Sequence, residues 1–130
     1  MEISFMRKIT EKIVTAFLDG NSLAIDNTIT DGADIRLHGN VIAYWNTDAT
    51  VIITLAGWNT VTTRERLNGL LTMMKHHKRI IQKKGEPYFI DLRNLNTPAQ
   101  LIDDTEHYPV SQNFFSSETY AEIMERTAVA

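Results

Sequence analysis

Cysteine is absent from the sequence, and this absence removes several classes of protein. Disulfide frameworks, thiolate zinc sites and cysteine nucleophiles all need a residue that the chain lacks. Long apolar runs are absent as well: no window approaches the roughly 18 apolar residues of a membrane span, so we expect no membrane partner. Positive charge is not in excess, because the formal net charge is −3. We therefore do not expect a protein that binds nucleic acid through its overall charge.

The composition is that of an ordinary soluble domain. Of the 130 residues, 43% are hydrophobic and 22% are charged, which suits one domain with a modest core. Near the start, apolar residues recur at helical spacing, namely Met6, Ile9, Ile13 and Phe17. They predict an amphipathic helix from about residue 5 to 19. Ser4 is placed to cap its start, and Gly20 is placed to end it in a left-handed conformation.

Four short runs with β character follow, separated by turn residues. The runs cover residues 24–30, 34–38, 41–45 and 50–55. The dipeptides Asp31-Gly32 and Gly39-Asn40 predict the turns between the first three of them. Because connections this short leave no room for crossover helices, the runs predict a four-stranded antiparallel meander.

A second helix is predicted after the meander. Thr62 and Glu65 have the spacing of a capping box, in which each side chain reaches the backbone amide of the other residue. An apolar stripe follows, made of Leu67, Leu70, Leu71 and Met74. Two further β runs, residues 79–83 and 88–92, predict a hairpin with Pro87 at an edge or at a strand start.

The composition changes at about residue 94, beyond which six acidic residues accompany one base, Arg126. Thr97-Pro98 predicts a short helix that runs to Asp104, and the segment Tyr108-Pro109-Val110 is expected to be irregular. Ser116 or Ser117 is placed to cap a last helix. The sequence thus predicts an α+β core domain over residues 1–93 and an acidic appendage with short helices over residues 94–130. The appendage either packs back on the core or docks on another molecule, and a homodimer built through it is one alternative.

The densest group of polar residues lies at the start of the second helix. It comprises Trp58, Thr60, Thr62, Thr63, Arg64, Arg66 and Asn68. The free amides of a helix start, together with hydroxyls and guanidinium groups, could hold a phosphate or a carboxylate. In the alternative interpretation the threonines only cap the helix, and the arginines are solvated or paired with Glu65.

Two further groups are candidates for binding. A basic run holds Lys75, Lys78, Arg79, Lys83 and Lys84. It either forms a patch for nucleic acid, with Tyr88 or Phe89 near for stacking, or is only a helix end and a strand edge protected by lysines. The appendage contains the aromatic residues Tyr108, Phe114, Phe115 and Tyr120, which suit a protein interface.

No motif points to a metal, a cofactor or a catalytic centre. The side chains of His76 and His77 would point about 100° apart on a helix, and His38 and His107 stand alone, so we predict no metal site. Neither a Gly-x-Ser-x-Gly motif nor a closely spaced carboxylate pair in a rigid setting is present. An enzyme with dispersed catalytic residues stays open as an alternative.

Two segments resemble a known group of proteins. Leu37-His38-Gly39-Asn40-Val41-Ile42-Ala43, followed by the stretch from Trp58 to Asn68, is similar to the pattern L-H-G-N-x-I-A … W-x-T-x-T-T-x-x-R-L-N of small proteins of tailed bacteriophages and prophages. Asn27-Thr28 and Gln82-Lys83-Lys84 also resemble that group, so the likeness covers roughly residues 7 to 92. The resemblance implies a phage origin and a setting in the bacterial host cytoplasm, and it implies no particular activity.

Taken together, the sequence leads to one leading hypothesis and two alternatives. The leading hypothesis is a phage accessory protein, of the host-takeover or anti-defence type, that binds a host protein without catalysis and without a cofactor. The first alternative is a protein that binds nucleic acid, a nucleotide or phosphate through the start of the second helix and the basic run. The second alternative is the enzyme with dispersed residues.

Overall fold

The computed structural model describes residues 7–47 and 50–111, which form two helices and two antiparallel sheets. The elements, in order, are α1 (Lys8–Leu18), β1 (Leu23–Ile25), β2 (Thr28–Thr30), β3 (Asp34–Leu37), β4 (Asn40–Trp45), β5 (Thr50–Ile53), α2 (Val61–Met73), β6 (Lys78–Lys83), β7 (Glu86–Asp91), β8 (Gln100–Leu101) and β9 (Tyr108–Ser111). The larger sheet has the order β1-β2-β3-β4-β5-β9, and the smaller has the order β6-β7-β8. The α+β class is confirmed at this level. No helix among the described residues is long and apolar enough to cross a membrane.

The predicted meander is wrong in its number of strands. Residues 24–30 do not form one strand, because the chain reverses at Asp26, whose φ is 55°, and so forms the β1–β2 hairpin. Asp tolerates this left-handed conformation better than most residues with a side chain. The described meander therefore has five strands, and β9 returns from later in the chain to pair with β5.

The first helix follows its prediction where the structure describes it. Phe17 is fully buried and stacks on Trp45 of β4, with 5.3 Å between the ring centroids. The helix ends as predicted at Gly20, whose φ is 76°, and the amide of Asn21 donates to the carbonyl of Ala16 at 2.8 Å. This is the hydrogen-bond pattern of a Schellman motif. The predicted cap, Ser4, lies outside the described residues.

The second helix begins two residues earlier than the capping-box prediction requires. Its cap is Thr60, whose Oγ1 accepts a hydrogen bond from the amide of Thr63 at 3.1 Å, so the prediction for Thr62 and Glu65 is wrong. The side chain of Glu65 is directed to α1 instead, where it accepts from the Thr10 hydroxyl at 2.5 Å. A tertiary contact has replaced the local bond that the pattern suggested.

Two of the hairpins, β3–β4 and β6–β7, use turns in which both central residues have positive φ. In the β3–β4 turn these are His38 at 50° and Gly39 at 82°, so the turn lies one residue before the predicted Gly39-Asn40. The β6–β7 hairpin is confirmed, with Lys84 and Gly85 in its turn and Pro87 second in β7. Such turns match the twist of the flanking strands.

The described part of the acidic appendage forms strands. The predicted helix over residues 97–104 is wrong, because β8 occupies part of it and pairs with β7. Tyr108-Pro109-Val110 is likewise not irregular but lies in β9, where Pro109 is tolerated on an edge strand. Ile102 and Val110 belong to the hydrophobic core. The boundary at residue 94 stays a prediction, and the last helix lies outside the described residues.

Candidate functional site

A cavity of about 510 Å³ lies between the β3–β4 hairpin and the start of α2. The hairpin lines it with Leu37, His38, Asn40 and Ile42, and the approach to α2 lines it with Leu55, Trp58, Thr60, Thr62 and Thr63. The β3–β4 hairpin and the start of α2, which carry the two segments quoted for the phage resemblance, therefore meet at this cavity. The turn residues explain this geometry, because the reversal at His38-Gly39 brings the hairpin end to the level of the helix start.

The floor of the cavity is apolar and its rim is exposed. Leu37, Ile42 and Leu55 are each at most 4% exposed. Trp58 on the rim is 58% exposed, and Val61 beside it in the chain is 65% exposed. The turn that carries the indole is fixed at both ends, since the amide of Trp58 donates to the carbonyl of Leu55 at 2.8 Å and the amide of Gly57 donates to that of Asp104 at 2.7 Å.

The polar groups that line the cavity are mainly hydroxyl and amide groups. The hydroxyls of Thr60 and Thr63 bond each other at 2.9 Å. Among the described residues, His38 is the only titratable side chain that lines the cavity, and its Nε2 lies 3.5 Å from the side-chain amide nitrogen of Asn27. One histidine without a titratable partner in the lining does not make a general acid–base pair.

Arg66, predicted as an anion ligand, is an internal residue. It is only 2% exposed. Its guanidinium group donates to Thr28 Oγ1 at 3.0 Å, to Thr10 Oγ1 at 2.7 Å, to Asn27 Oδ1 at 3.3 Å and to the carboxylate of Glu65. The group therefore joins α2 to α1 and to the β1–β2 hairpin, and the structure places it away from solvent.

Arg64 and Asn68 also make contacts within the molecule. Arg64 donates to the side-chain oxygen of Asn59, and burial lowers the pKa of Arg64. The Asn68 amide donates to the carbonyl of Ile80 at 2.8 Å and accepts from the amide of Ile80 at 2.7 Å. Asn68 thus pairs with the edge of β6 as a neighbouring strand would. Of the predicted residues at this helix start, the structure brings Trp58 and the three threonines to the cavity.

The basic run does not form one patch. Lys78 lies over the ring of Phe89, 5.2 Å from its centroid, and the Arg79 guanidinium donates to the backbone carbonyl of His76 at 2.8 Å. Lys83 and Lys84 lie at the other end of β6, about 17 Å away at the usual rise per residue of a strand. The run is therefore divided between two ends of one strand.

Sequence reasoning missed a buried pair of histidines. The rings of His76 and His77 stack with 4.5 Å between centroids, and both residues are at most 4% exposed. Burial, with Lys78 and Arg93 among the nearby cations, lowers the pKa of His76 to about 3 and that of His77 to about 4. Both imidazoles are neutral at physiological pH. No group of three or more potential metal ligands occurs among the described residues.

A second cavity, of about 630 Å³, lies on the other side of the loop that carries Trp58. It was also missed by sequence reasoning. It is lined by Asn59, Gly85, Glu86, Pro87, Leu101, Ile102, Asp103, Asp104 and Tyr108.

The pKa of Asp103 is lowered by hydrogen bonds from the amide and hydroxyl of Thr105 at 2.9 and 2.7 Å, so this carboxylate is held ionised. Tyr108, predicted to serve an interface, accepts from the amide of Asp103 at 2.9 Å. The predicted interface residues Phe114, Phe115 and Tyr120 lie outside the described residues.

The model of the Kyanoviridae Gp96 protein family matches residues 6–121. The chain belongs to this family. The phage origin that the quoted segments implied is thereby confirmed. The Kyanoviridae Gp96 match extends beyond residue 92, where the resemblance noted in the sequence ends, and includes β8, β9 and part of the sequence beyond them. Neither a curated protein nor a solved structure matches the chain.

Proposed function

We propose that this Kyanoviridae Gp96 protein is a phage accessory protein, of the host-takeover or anti-defence type, that acts in the bacterial host cytoplasm by binding a host protein without catalysis. The observation that carries the proposal is an exposed indole on the rim of an apolar cavity. Trp58 and Val61 each present more than half of their surface to solvent. Single exposed apolar residues are common, but an exposed aromatic residue beside a formed pocket is typical of an interface.

The energetic argument rests on Trp58. A tryptophan side chain buries up to about 250 Å² in an interface. Covering the exposed 58% of Trp58 would remove about 145 Å² from water, which corresponds to about 3.6 kcal/mol at about 25 cal/mol per Å² before the cost of association is subtracted. Interface hot spots begin at about 2 kcal/mol. A host side chain that entered the cavity would meet Leu37, Ile42 and Leu55 at its floor.

The two alternatives have weaker support from the geometry. An anion site at the helix start would be strengthened by free guanidinium groups, but Arg66 is buried in its own network and Arg64 donates to Asn59. An enzyme would need convergent titratable groups, whereas His38 is the one titratable residue among the described residues that line the first cavity. Protein binding is the function that uses what the cavity offers.

The test is capture of the host partner by matched variants. The tagged full-length protein, Trp58→Ala and Leu95→Ala are each incubated with host lysate, and captured proteins are quantified by mass spectrometry. Leu95 is 57% exposed and does not line the cavity, so it controls for loss of an exposed apolar side chain. We expect Trp58→Ala to reduce capture of one host protein by more than about tenfold, and Leu95→Ala to leave it unchanged.

Two results would contradict the proposal. In the first, Trp58→Ala captures the same host proteins in the same amounts as the unmodified chain. In the second, nuclease treatment of the lysate removes the captured material, which would favour nucleic acid as the partner. Circular dichroism of the variants shows that they are folded before either result is interpreted.

A further inference from the structure

A series of contacts runs from the buried guanidinium group of Arg66 to the rim of the first cavity. Arg66 is 2% exposed, and its Nη2 donates to Asn27 Oδ1 at 3.3 Å. The side-chain amide nitrogen of Asn27 lies 3.5 Å from Nε2 of His38, and His38 lines the cavity. Asn27 therefore connects an internal network to a residue that a ligand of the cavity would meet.

The backbone holds Asn27 and His38 beside each other. The amide of His38 donates to the carbonyl of Asn27 at 2.9 Å. The residues next to them, Thr28 and Leu37, are directly paired in the register of β2 and β3. His38 is also fixed in the β3–β4 turn, where its φ is 50°. The pairing of the strands thus brings the imidazole to the Asn27 side chain.

The chemistry of arginine decides how the Asn27 amide is oriented. A guanidinium group only donates hydrogen bonds, so the atom of Asn27 that faces Arg66 must be the oxygen. The Thr28 hydroxyl, which accepts from Nε of Arg66 at 3.0 Å, donates to the same oxygen at 2.8 Å. The amide nitrogen is therefore on the side of His38, and an amide nitrogen also only donates.

We infer that Asn27 is a positioning residue that holds His38 in the tautomer with its proton on Nδ1. Nε2 faces a donor and has to accept, and a neutral imidazole has one donor and one acceptor nitrogen. The hydrogen bond made by one ring nitrogen sets the state of the other. Among residues 7–47 and 50–111 no group bonds Nδ1 of His38, so the polar ring atom left for a ligand is a donor.

This tautomer adds a chemical requirement to the host-protein site, and the requirement rests on the proposed function. The host group that meets the His38 ring at the cavity is an acceptor, such as a carbonyl oxygen. A host amide or ammonium group in that place would oppose one donor to another, and both would lose their hydrogen bonds to water.

The tautomer is measured in the free, full-length protein from two-bond ¹H–¹⁵N correlations of the imidazole at about pH 8.5. Asn27→Asp reverses the group that faces Nε2, because both carboxylate oxygens accept, and it still accepts from Arg66 and Thr28. Asn40→Asp is the matched control. It adds the same charge two residues from His38, where the Asn40 side chain donates to the backbone carbonyl of His38 at 3.5 Å.

We expect the form with the proton on Nδ1 to be the major one in the unmodified chain and in Asn40→Asp. In Asn27→Asp the form with the proton on Nε2 should be the major one, with the tautomer ratio changed by about tenfold or more. A major Nε2-protonated form in the unmodified chain would overturn the inference. Equal tautomer ratios in Asn27→Asp and Asn40→Asp would overturn it as well.

The requirement for the partner is tested by capture from host lysate with Asn27→Asp and Asn96→Asp. Asn96 is exposed and lines neither cavity, so it controls for the added charge. We expect Asn27→Asp to reduce capture of the Trp58-dependent host protein by about fivefold, and Asn96→Asp to leave it unchanged. Equal capture by these two variants would overturn the requirement. If Trp58→Ala leaves capture unchanged, the requirement falls with the host-protein site, whereas the tautomer result in the free protein stands.

Discussion

Replacing Arg66 by methionine is expected to lower the free energy of unfolding by about 3 kcal/mol. Removing one partner of a buried charged pair typically costs about 3–5 kcal/mol. The side chain of Arg66 is 3% exposed and that of its partner Glu65 is 13% exposed. Methionine fills much of the space of the arginine stem, so the loss is mainly of charge and hydrogen bonds.

The surrounding hydrogen bonds place the expected cost near the lower end of that range. Without the guanidinium group, Glu65 still accepts from the Thr10 hydroxyl at 2.5 Å and from the backbone amide of Arg7 at 3.1 Å. The Thr28 hydroxyl still donates to Asn27 Oδ1 at 2.8 Å. The carboxylate of Glu65 and the Oδ1 of Asn27 therefore keep a donor, whereas the hydroxyls of Thr10 and Thr28 lose the hydrogen bond that each accepts from Arg66, and the carboxylate is left without its cation.

The measurement is urea unfolding at pH 7 of Arg66→Met, with Arg36→Met as the control. Arg36 also pairs with an acidic residue, Asp34, but its side chain is 50% exposed. An exposed pair contributes at most about 1 kcal/mol, so the control should unfold almost as the unmodified chain does. A loss of 3 kcal/mol corresponds to a melting temperature lower by about 10 °C in a domain of this size.

Equal unfolding midpoints for the two variants would refute the reasoning. Arg66 would then contribute no more than a solvated arginine, and its role as an anion ligand would have to be reconsidered. The comparison is direct because both variants replace an arginine of an arginine–carboxylate pair by methionine. The two pairs differ in burial.

Three further outcomes are expected. Thr60→Ala should lower the free energy of unfolding by about 1 kcal/mol, because α2 loses its cap, whereas Thr62→Ala should lower it by less than about 0.5 kcal/mol. Equal losses for the two variants in urea unfolding would contradict the assignment of Thr60 as the cap. Gly32→Ala should lower the free energy of unfolding by more than about 2 kcal/mol. A Cβ at this position would lie 2.6 Å from the backbone of Gly20, just beyond α1, and the φ of Gly32 is 90°. An unchanged melting temperature would count against this prediction. In the unfolded chain His76 and His77 take up protons as the pH falls below about 6.5. In the folded protein they stay neutral to lower pH, because their pKa values are about 3 and about 4. Stability should fall by about 2 kcal/mol per histidine by pH 5, and a urea midpoint that is constant from pH 7 to pH 5 would be inconsistent with that.

Local patterns predicted the helices and the second hairpin. The recurrence of Ile13 and Phe17 places one side of α1 in the core, and Gly20 ends the helix because glycine takes positive φ without strain. The α2 stripe of Leu67, Leu70 and Leu71 is buried in the same way. Each of these features depends on residues within a few positions of one another.

Features that depend on distant partners were predicted wrongly or not at all. β9 exists because Val110 faces Val51 across the sheet, and no local signal near Tyr108-Pro109 indicated that pairing. The reversal at Asp26 did leave a local signal, the Asp-Asn dipeptide, which the apparent continuity of residues 24–30 concealed. The paired histidines were expected to diverge on a helix, but α2 ends at Met73 and their rings stack beyond it.

The sequence by itself determined the α+β class, the two helices and a group of residues at the start of α2, some of which line a cavity. Trp58 and the neighbouring threonines do line a cavity. Only the tertiary structure decided which polar residues there face solvent. Arg66 reaches Thr10, which is far away in the sequence, and Asn68 binds the edge of β6. Helical periodicity is a property of neighbouring residues, whereas the burial of a guanidinium group depends on side chains that only folding brings together.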